Sequence, residues 1–298
     1  MPRDHDPGLV RPLDPADLPD CLDLAADRGW PPEDVKWRFA LAAGSVFGVD
    51  DPRGGLAATI AVTRYEPGLA VIGLLLVAAR HGRRGLGRRL TEHALEWAAG
   101  RVVYLYATPE GQPLYEALGF RVLDHVTRHV GPFRPAAPGA GAFGADVSGA
   151  GGLAGGLLVR PPVPADRAEV LALDRAVFGA SRASSLGALA RLADQVVVAA
   201  DGQGIAGHGS AWRNLDVLTI GPLVARDDAV ALALIGAMAE PADGPVRVDL
   251  PARHAGVSRW LAARGVLPAA ADPVMSYHGQ PLPGDRDQLY GLFMQAVG

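Results

Sequence analysis

Residues 72–90, IGLLLVAARHGRRGLGRRL, decide the fold of the first half of this chain. An uninterrupted apolar run ends near Val77, a glycine-containing loop follows, and amphipathic spacing begins at about Gly85. This order predicts a buried strand, a tight loop and then the first turn of a helix. The N-terminus of a helix presents free backbone N–H groups and a partial positive charge, both of which suit a phosphate group. The stretch therefore predicts an anion site built from backbone atoms.

The side chains of this loop are compatible with a phosphate ligand. Gly85 and Gly87 have no side chain to block its approach, and Arg83, Arg84 and Arg88 add positive charge. A P-loop would need Gly-Lys-Ser/Thr, and a dinucleotide fingerprint would need a third glycine three residues after Gly87; neither is present. For the loop taken alone, a tight strand–helix turn with solvated arginines is the alternative interpretation.

The surrounding residues predict an α+β domain, in which a mixed, mostly antiparallel sheet is flanked by helices. Residues 15–43 have helical spacing, interrupted at 29–32 by Gly-Trp-Pro-Pro. Gly54-Gly55 and Pro67-Gly68 supply turns between strands. Strands are predicted at 45–50, 56–65, 69–78, 102–107 and 120–130, and helices at 85–99 and 111–118.

A second motif follows the predicted strand 102–107, where residues 113–120 read PLYEALGF. Together with the loop Gly82–Gly87, it makes residues 9–131 resemble the GNAT superfamily of N-acetyltransferases. In that family an Arg/Gln-x-x-Gly-x-Gly/Ala loop grips the pyrophosphate of acetyl-CoA, and a Leu-Tyr-x-x-x-Gly-Phe segment places a tyrosine near the sulfur. Gly82 stands where the family usually has Arg or Gln, a position that contributes mainly a backbone N–H.

The resemblance implies that acetyl-CoA is the acyl donor and that a primary amine attacks its thioester directly. Tyr115 would be the general acid, and Val77 would place backbone groups against the acetyl carbonyl. Thr108, where the family often has Asn, would contact the pantetheine arm. The residues implied to bind the cofactor are Val77, Gly82, Arg83, Arg84, Gly85, Leu86, Gly87, Arg88 and Thr108.

The general base and the acceptor pocket are less well defined by the sequence. Glu66 is the nearest candidate base, His81 and Glu92 are weaker ones, and a chain of waters is an alternative to all three. The resemblance implies that the region around residues 29–39 lines the acceptor pocket. Trp30, Trp37 and Arg38 are therefore expected in its wall, with ordinary core packing as the alternative for Trp37.

The second half of the chain repeats the outline of the first. Residues 9–27 and 157–177 each contain an apolar run, Arg-Pro, Pro-Ala-Asp and then helical spacing, which indicates a duplication. The second copy resembles the C-terminal domain of a subgroup of tandem GNAT proteins. Its equivalent of the phosphate loop, at 220–229, has two acids and no glycine pair, and Leu261 stands in place of the tyrosine. The sequence predicts an acetyl-CoA-binding domain at 1–131, a Gly/Ala/Pro-rich linker at 132–156 and a degenerate GNAT-like domain at 157–298.

The composition narrows the classes of partner. A net charge of −4 gives no reason to expect nucleic acid, and no apolar run reaches the roughly 18 residues of a membrane span. Cys21 is the only cysteine, which excludes an intrachain disulfide, and no metal-ligand pattern is visible. We therefore expect a cytoplasmic protein without a metal, whose partner is a small-molecule or peptide amine. An oligomeric interface cannot be identified from the sequence. A non-catalytic acyl-CoA-binding sensor or interaction protein is the alternative function.

Overall fold

A computed structural model describes residues 9–135 and 156–298 of the chain. Strands and helices in the first half follow the predicted order and lie close to the predicted bounds. The strands are β1 (Val10–Pro12), β2 (Ser45–Asp50), β3 (Leu56–Tyr65), β4 (Leu69–Val77), β5 (Val102–Tyr106) and β6 (Phe120–Pro132). The helices are α1 (Leu18–Asp27), α2 (Asp34–Ala43), α3 (Leu86–Trp97) and α4 (Gln112–Ala117).

The second half repeats this succession of elements. Its strands are β7 (Leu158–Arg160), β8 (Gln195–Asp201), β9 (Gly204–Asn214), β10 (Val217–Ala225), β11 (Pro245–Pro251), β12 (Leu267–Tyr277) and β13 (Leu289–Gly291). Its helices are α5 (Arg167–Phe178), α6 (Ala183–Leu189), α7 (Asp228–Ala239) and α8 (Ala255–Ala263).

Packing divides the described residues into two compact units. Unit 1 contains the residues up to Leu123 together with Val274–Pro281 and Gln295–Gly298. Unit 2 contains those of Asp124–Pro273 together with Leu282–Met294. The predicted domains are contiguous stretches of sequence, whereas each unit includes segments from the other half, because strand pairing and not chain order decides where a segment packs. Most of the predicted linker, 136–155, lies outside the described residues.

The sheet of unit 1 runs in the order β1, β2, β3, β4, β5, followed by the part of β12 from Val274 to Tyr277. Its pairs are antiparallel except β4 with β5, which are parallel. One face packs on α3, where buried apolar residues of the strands meet Leu90 and Ala94 of that helix. The predicted mixed sheet flanked by helices is confirmed for this unit.

The sheet of unit 2 has the same topology. It begins at the part of β6 that pairs with β11 and continues through β10, β9 and β8 to β7. In this order only the pair of β10 and β11 is parallel. Helix α7 covers one face and contributes Leu234, Ile235 and Met238 to a second apolar core. The central strands β9 and β10 are buried at most of their positions, as expected for strands that are covered on both faces.

A matching ion pair marks the start of each copy. Arg11 donates to both carboxylate oxygens of Asp17 at 2.8 and 3.1 Å, and Arg160 does the same with Asp166 at 2.6 and 2.9 Å. Each aspartate ends a short 3-10 turn opened by the Pro-Ala-Asp sequence. The repeated side-chain geometry agrees with the duplication expected from the sequence.

Candidate active site

The parallel strands β4 and β5 separate at their carboxyl ends. They pair from Leu69 to Ile72 on β4, and beyond that point β4 continues on β3 alone among the described pairings. Leu74 lies at the break with a φ of +50°, and its carbonyl accepts a 3.0 Å hydrogen bond from Thr59 Oγ1. We call this opening between the strand ends the wedge. The loop after β4 and the helix after β5 meet at it, because parallel strands end at the same edge of a sheet.

The glycine loop and the tyrosine segment are in contact. A Cβ added to Gly87, in the first turn of α3, would lie 3.1 Å from Leu114 Cδ2 and 3.7 Å from Val77 Cγ2. Gly87 is therefore needed for the close approach of α3 to both the end of β4 and the start of α4. The structure brings together the two motifs that are 25 or more residues apart in the sequence.

The loop leads directly into a helix N-terminus. Gly85 precedes the first residue of α3, Leu86, with a φ of +83°, a backbone conformation that glycine adopts without strain. The first N–H groups of α3 have no acceptor within the helix. Arg83 and Arg84 are exposed and form no ion pair within the described parts of the chain. Arg88 lies 3.6 Å from Glu92 in an exposed pair one turn along the helix.

A buried aspartate holds the residues that lead into this loop. Asp51, in the turn between β2 and β3, has a side chain only 1% exposed. It accepts hydrogen bonds from His81 Nε2, from Arg80 Nε at 2.8 Å and from the Arg53 N–H at 2.8 Å. Burial opposes its ionisation, but these hydrogen bonds outweigh burial and lower the pKa of Asp51 to about 2. The sequence did not identify Asp51, because an aspartate in a turn usually bonds only to its neighbours.

If this loop binds the acetyl-CoA that the sequence resemblance implies, replacing Asp51 with asparagine should weaken that binding about tenfold, the equivalent of one charge-assisted hydrogen bond. The amide keeps the volume of the side chain but not its charge, so Arg80 and His81 would no longer fix the loop. Titration calorimetry measures the change in Kd. Asp201, the last residue of β8, makes two corresponding contacts in unit 2, to the Gln203 N–H and to Arg226. Asp201→Asn is the matched control, and an equal loss of affinity there would contradict the role of Asp51.

Tyr115 is buried beside the wedge on α4. Its side chain is 7% exposed, and its ring meets Phe120 edge-on with centroids 5.7 Å apart. A Cβ on Gly111 would lie 3.3 Å from Tyr115 Cε2, so the helix start also fits closely around this ring. Thr108 Oγ1 accepts a 3.2 Å hydrogen bond from the Gly111 N–H. Burial raises the pKa of Tyr115 well above its ordinary value, so the phenol keeps its proton at physiological pH.

The structure does not bring Glu66 to Tyr115. Glu66 lies in the turn between β3 and β4, is 72% exposed, and pairs with Arg101 at 2.6 Å. β4 runs away from this turn, the wedge opens after Ile72, and the eight residue steps of the strand to Val77 span about 26 Å. Glu66 therefore precedes the amino end of β4, whereas Val77 lies at its carboxyl end.

The three residues expected in the acceptor pocket occupy different environments. Trp37 is 1% exposed on α2, which agrees with the core-packing alternative. Trp30 is half-buried, with the Lys36 ammonium 5.2 Å from its ring centroid. Arg38 is exposed and bonds Asp34 Oδ2 at 2.7 Å, one turn back on the helix. Only Trp30 combines an accessible aromatic surface with a nearby charge.

In unit 2 the chain itself fills the equivalent of the wedge. β10 and β11 pair up to Ile220 and then separate, and β13 occupies the space, with Leu223 opposite Gly291. The Leu292 N–H donates to the Asp249 carbonyl at 3.2 Å. A Cβ on Gly221 would lie 1.8 Å from the Leu292 carbonyl oxygen, so only glycine fits there.

The helix N-terminus of unit 2 is also occupied by its own residues. Asp227 caps α7 by accepting from the Val230 N–H at 3.0 Å. Asp228 accepts a 2.8 Å hydrogen bond from the hydroxyl of Tyr290, a residue of β13. Two carboxylates at this position oppose a pyrophosphate by charge repulsion. Unit 2 thus has the fold of unit 1, but β13 occupies the equivalent of the wedge and Asp227 caps the equivalent helix.

The described residues contain neither a metal-binding cluster nor a helix that could span a membrane. Among residues 9–135 and 156–298, no group of three or more His, Cys, Asp or Glu side chains is arranged to hold a metal ion. Within the same ranges, no helix is long and apolar enough to cross a bilayer.

Both halves match family models of acetyltransferases. Residues 17–120 match the Acetyltransferase (GNAT) family, and residues 170–291 match an Acetyltransferase (GNAT) domain. These matches, with the fold and the loop–tyrosine arrangement, define an acyltransferase. The chain belongs to the GNAT acetyltransferase family and has two GNAT domains in tandem.

The chain is similar to other proteins over almost their whole length. The uncharacterized N-acetyltransferase YitH of Bacillus subtilis (strain 168) is 27% identical over 282 residues, which is 93% of this chain and 94% of that protein. A putative acetyltransferase from Pyrococcus horikoshii has a TM-score of 0.73 at 18% identity, covering 99% of this chain and 97% of its own. A tandem GNAT protein from the clavulanic acid biosynthesis pathway has a TM-score of 0.62 at 18% identity, covering 92% and 99%. These two solved structures show likeness of fold.

Proposed function

We propose that unit 1 binds acetyl-CoA and transfers its acetyl group to a primary amine, a small molecule or a peptide. The observation that carries the proposal is the contact of Gly87 with Leu114 at the open wedge. This contact puts a helix N-terminus suited to a pyrophosphate next to a buried, protonated tyrosine. Such a pairing serves a ligand with a phosphate at one end and a leaving group at the other.

The loop and the wedge would divide the cofactor between them. The pyrophosphate would accept hydrogen bonds from the N–H groups of Gly85–Gly87, with Arg83 and Arg84 adding charge from the exposed side. The pantetheine arm would enter the wedge at Val77, where the backbone of β4 is no longer paired with β5. In this proposal, Thr108 and Leu86 line the path of the pantetheine arm. Backbone N–H groups at the strand end would stabilise the oxygen of the tetrahedral intermediate.

Chemistry would proceed by attack of the neutral amine on the acetyl carbon. The C–N bond forms, the C–S bond breaks, and the sulfur leaves as coenzyme A thiolate. Tyr115, whose phenol is protonated at physiological pH, would donate a hydrogen bond to the departing sulfur and pass it that proton. The proton lost by the amine would return to the resulting phenolate through water, so that the products are the amide and coenzyme A. Glu66 has no part in this step, since it lies at the far end of β4.

Turnover distinguishes this proposal from a non-catalytic acyl-CoA sensor. The purified chain would be incubated with acetyl-CoA and a panel of primary amines, from methylamine to spermine and short peptides. Free thiol and acetylated amine would be measured together, the latter by mass spectrometry. Formation of both in equal amounts supports the transferase. Tight binding of acetyl-CoA without product for any amine would favour the sensor.

We expect one acetyl-CoA site per chain, because β13 and the two aspartates at α7 occupy the equivalent site of unit 2. Titration calorimetry with acetyl-CoA should give a stoichiometry of one, and competing coenzyme A should abolish this binding. A control variant that alters unit 2 alone, Tyr290→Phe, should leave the stoichiometry and Kd of the chain unchanged. Two sites of similar affinity would contradict the closure of unit 2.

A further inference from the structure

The segment Gln295–Gly298 is part of unit 1, although it is distant in sequence from the rest of that unit. The hydroxyl of Tyr65 donates a 2.8 Å hydrogen bond to the carbonyl of Val297. A Cβ added to Gly73 of β4 would lie 2.6 Å from both the Cα and the carbonyl oxygen of Ala296. Ala296 and Val297 are 7% and 0% exposed. The backbone of the segment therefore packs directly on β4 and is fixed at two consecutive residues.

The contact with Gly73 places the segment at the apex of the wedge. Gly73 is the first residue of β4 after Ile72, where pairing with β5 stops. It lies opposite Ala61 of β3, whose neighbours Ile60 and Val62 belong to the core beneath α3. Because side chains alternate between the faces of a strand, Ala61 and Gly73 face away from α3. The segment thus covers the face of the wedge opposite that helix.

Helix α3 and its core close one face of the sheet beside the wedge. We propose that an amine reaches a bound thioester from the other face, and that Gln295–Gly298 forms the wall of the acceptor entrance there. In this position the segment limits the size of the amine and keeps water from the thioester. This inference rests on the proposed function of unit 1.

Hydrolysis of acetyl-CoA competes with acetyl transfer, and its rate measures how well this wall excludes water. Water attacks the acetyl carbon, the C–S bond breaks, and acetate and coenzyme A are released after proton transfer to the sulfur. Excluding water from a closed site suppresses such hydrolysis of reactive groups. Loosening the segment should therefore raise the release of free thiol from acetyl-CoA when no amine is present.

Two variants loosen the segment by different means. Tyr65→Phe removes the hydroxyl that holds Val297 but keeps the ring, and should raise hydrolysis about fivefold, as expected for one lost hydrogen bond. Gly73→Ala places a methyl group where the backbone of Ala296 lies and should have a larger effect. Hydrogen exchange in residues 295–298 should rise in both variants, while the Kd for acetyl-CoA stays close to that of the wild type. Both should also acetylate spermine better relative to methylamine.

Matched controls separate this effect from general loosening. Gly68→Ala makes the same change in the turn before β4, where no atom lies within 4 Å of the added Cβ. Tyr290→Phe removes a comparable hydroxyl contact in unit 2. Both controls should hydrolyse acetyl-CoA at the wild-type rate.

The outcomes distinguish the two proposals. If acetyl-CoA binds and hydrolysis and amine preference are the same in wild type, Tyr65→Phe and Gly73→Ala, the inference is wrong and the proposed function stands. If none of these proteins binds acetyl-CoA, the proposed function is wrong and the inference falls with it. Tyr65→Phe is sufficient for the test if Gly73→Ala does not fold.

Discussion

Gly85→Glu is expected to abolish acetyl-CoA binding. Gly85 has a φ of +83° at the start of α3, where any L side chain is strained by roughly 1–2 kcal/mol. The glutamate also places a negative charge at the proposed pyrophosphate position. At about 4 Å and an effective dielectric constant of 20, the repulsion from one phosphate charge is about 4 kcal/mol, which corresponds to about a thousandfold loss of affinity.

Two further variants separate strain from charge. Gly85→Ala keeps the strain without the charge and should lower the affinity much less than Gly85→Glu. Gly68→Glu adds the same charge in an open turn at the other end of β4 and should leave the Kd unchanged. Calorimetry at a fixed ionic strength measures all three. If Gly85→Glu retains wild-type affinity, the loop is only a strand–helix turn and the cofactor site lies elsewhere.

Loss of the Tyr115 hydroxyl should lower kcat about a hundredfold, the lower range for removal of a general acid. Tyr115→Phe keeps the ring in its contacts with Phe120 and Gly111, so the Kd for acetyl-CoA should be nearly unchanged. The measurement is steady-state turnover with an amine identified in the panel. Tyr277 also packs on Phe120, with ring centroids 5.3 Å apart, and Tyr277→Phe is the matched control.

The pH dependence offers an independent check on Tyr115. Since burial raises its pKa above the usual value of about 10, its ionisation cannot cause a loss of activity below that pH. Any decline of the wild-type kcat at basic pH should therefore also be present in Tyr115→Phe. A decline near pH 8 or 9 that disappears in the variant would contradict the raised pKa of Tyr115, whereas unchanged turnover in the variant would remove Tyr115 from the mechanism.

Local sequence signals were sufficient to predict the elements of unit 1. Apolar spacing with Gly54-Gly55 and Pro67-Gly68 located β2, β3 and β4 closely, since such turns depend on neighbouring residues. The predicted succession of strand 69–78, helix 85–99, strand 102–107 and helix 111–118 also agrees closely with the structure. The roles assigned to the individual residues of that site stay predictions.

Features that depend on distant contacts were not predictable from the sequence. Glu66 is close to Val77 in sequence, yet β4 carries the two to opposite ends of a strand. Asp51 is important because the β2–β3 turn reaches the loop after β4, a contact that no local pattern encodes. β13 has only three residues, too few for a strand signal, and it forms by pairing with β10 across about 65 residues.

The segment exchange between the units has a consequence for biosynthesis. Domains usually fold in order as they leave the ribosome. The strand that completes the sheet of unit 1 beside β5 is the β12 segment that begins at Val274, so that edge stays unpaired until this segment has been translated. An unpaired strand edge is prone to join other chains. The amino-terminal half therefore has its longest exposure to misassembly during its own synthesis, and a fragment ending at residue 131 would keep that open edge permanently.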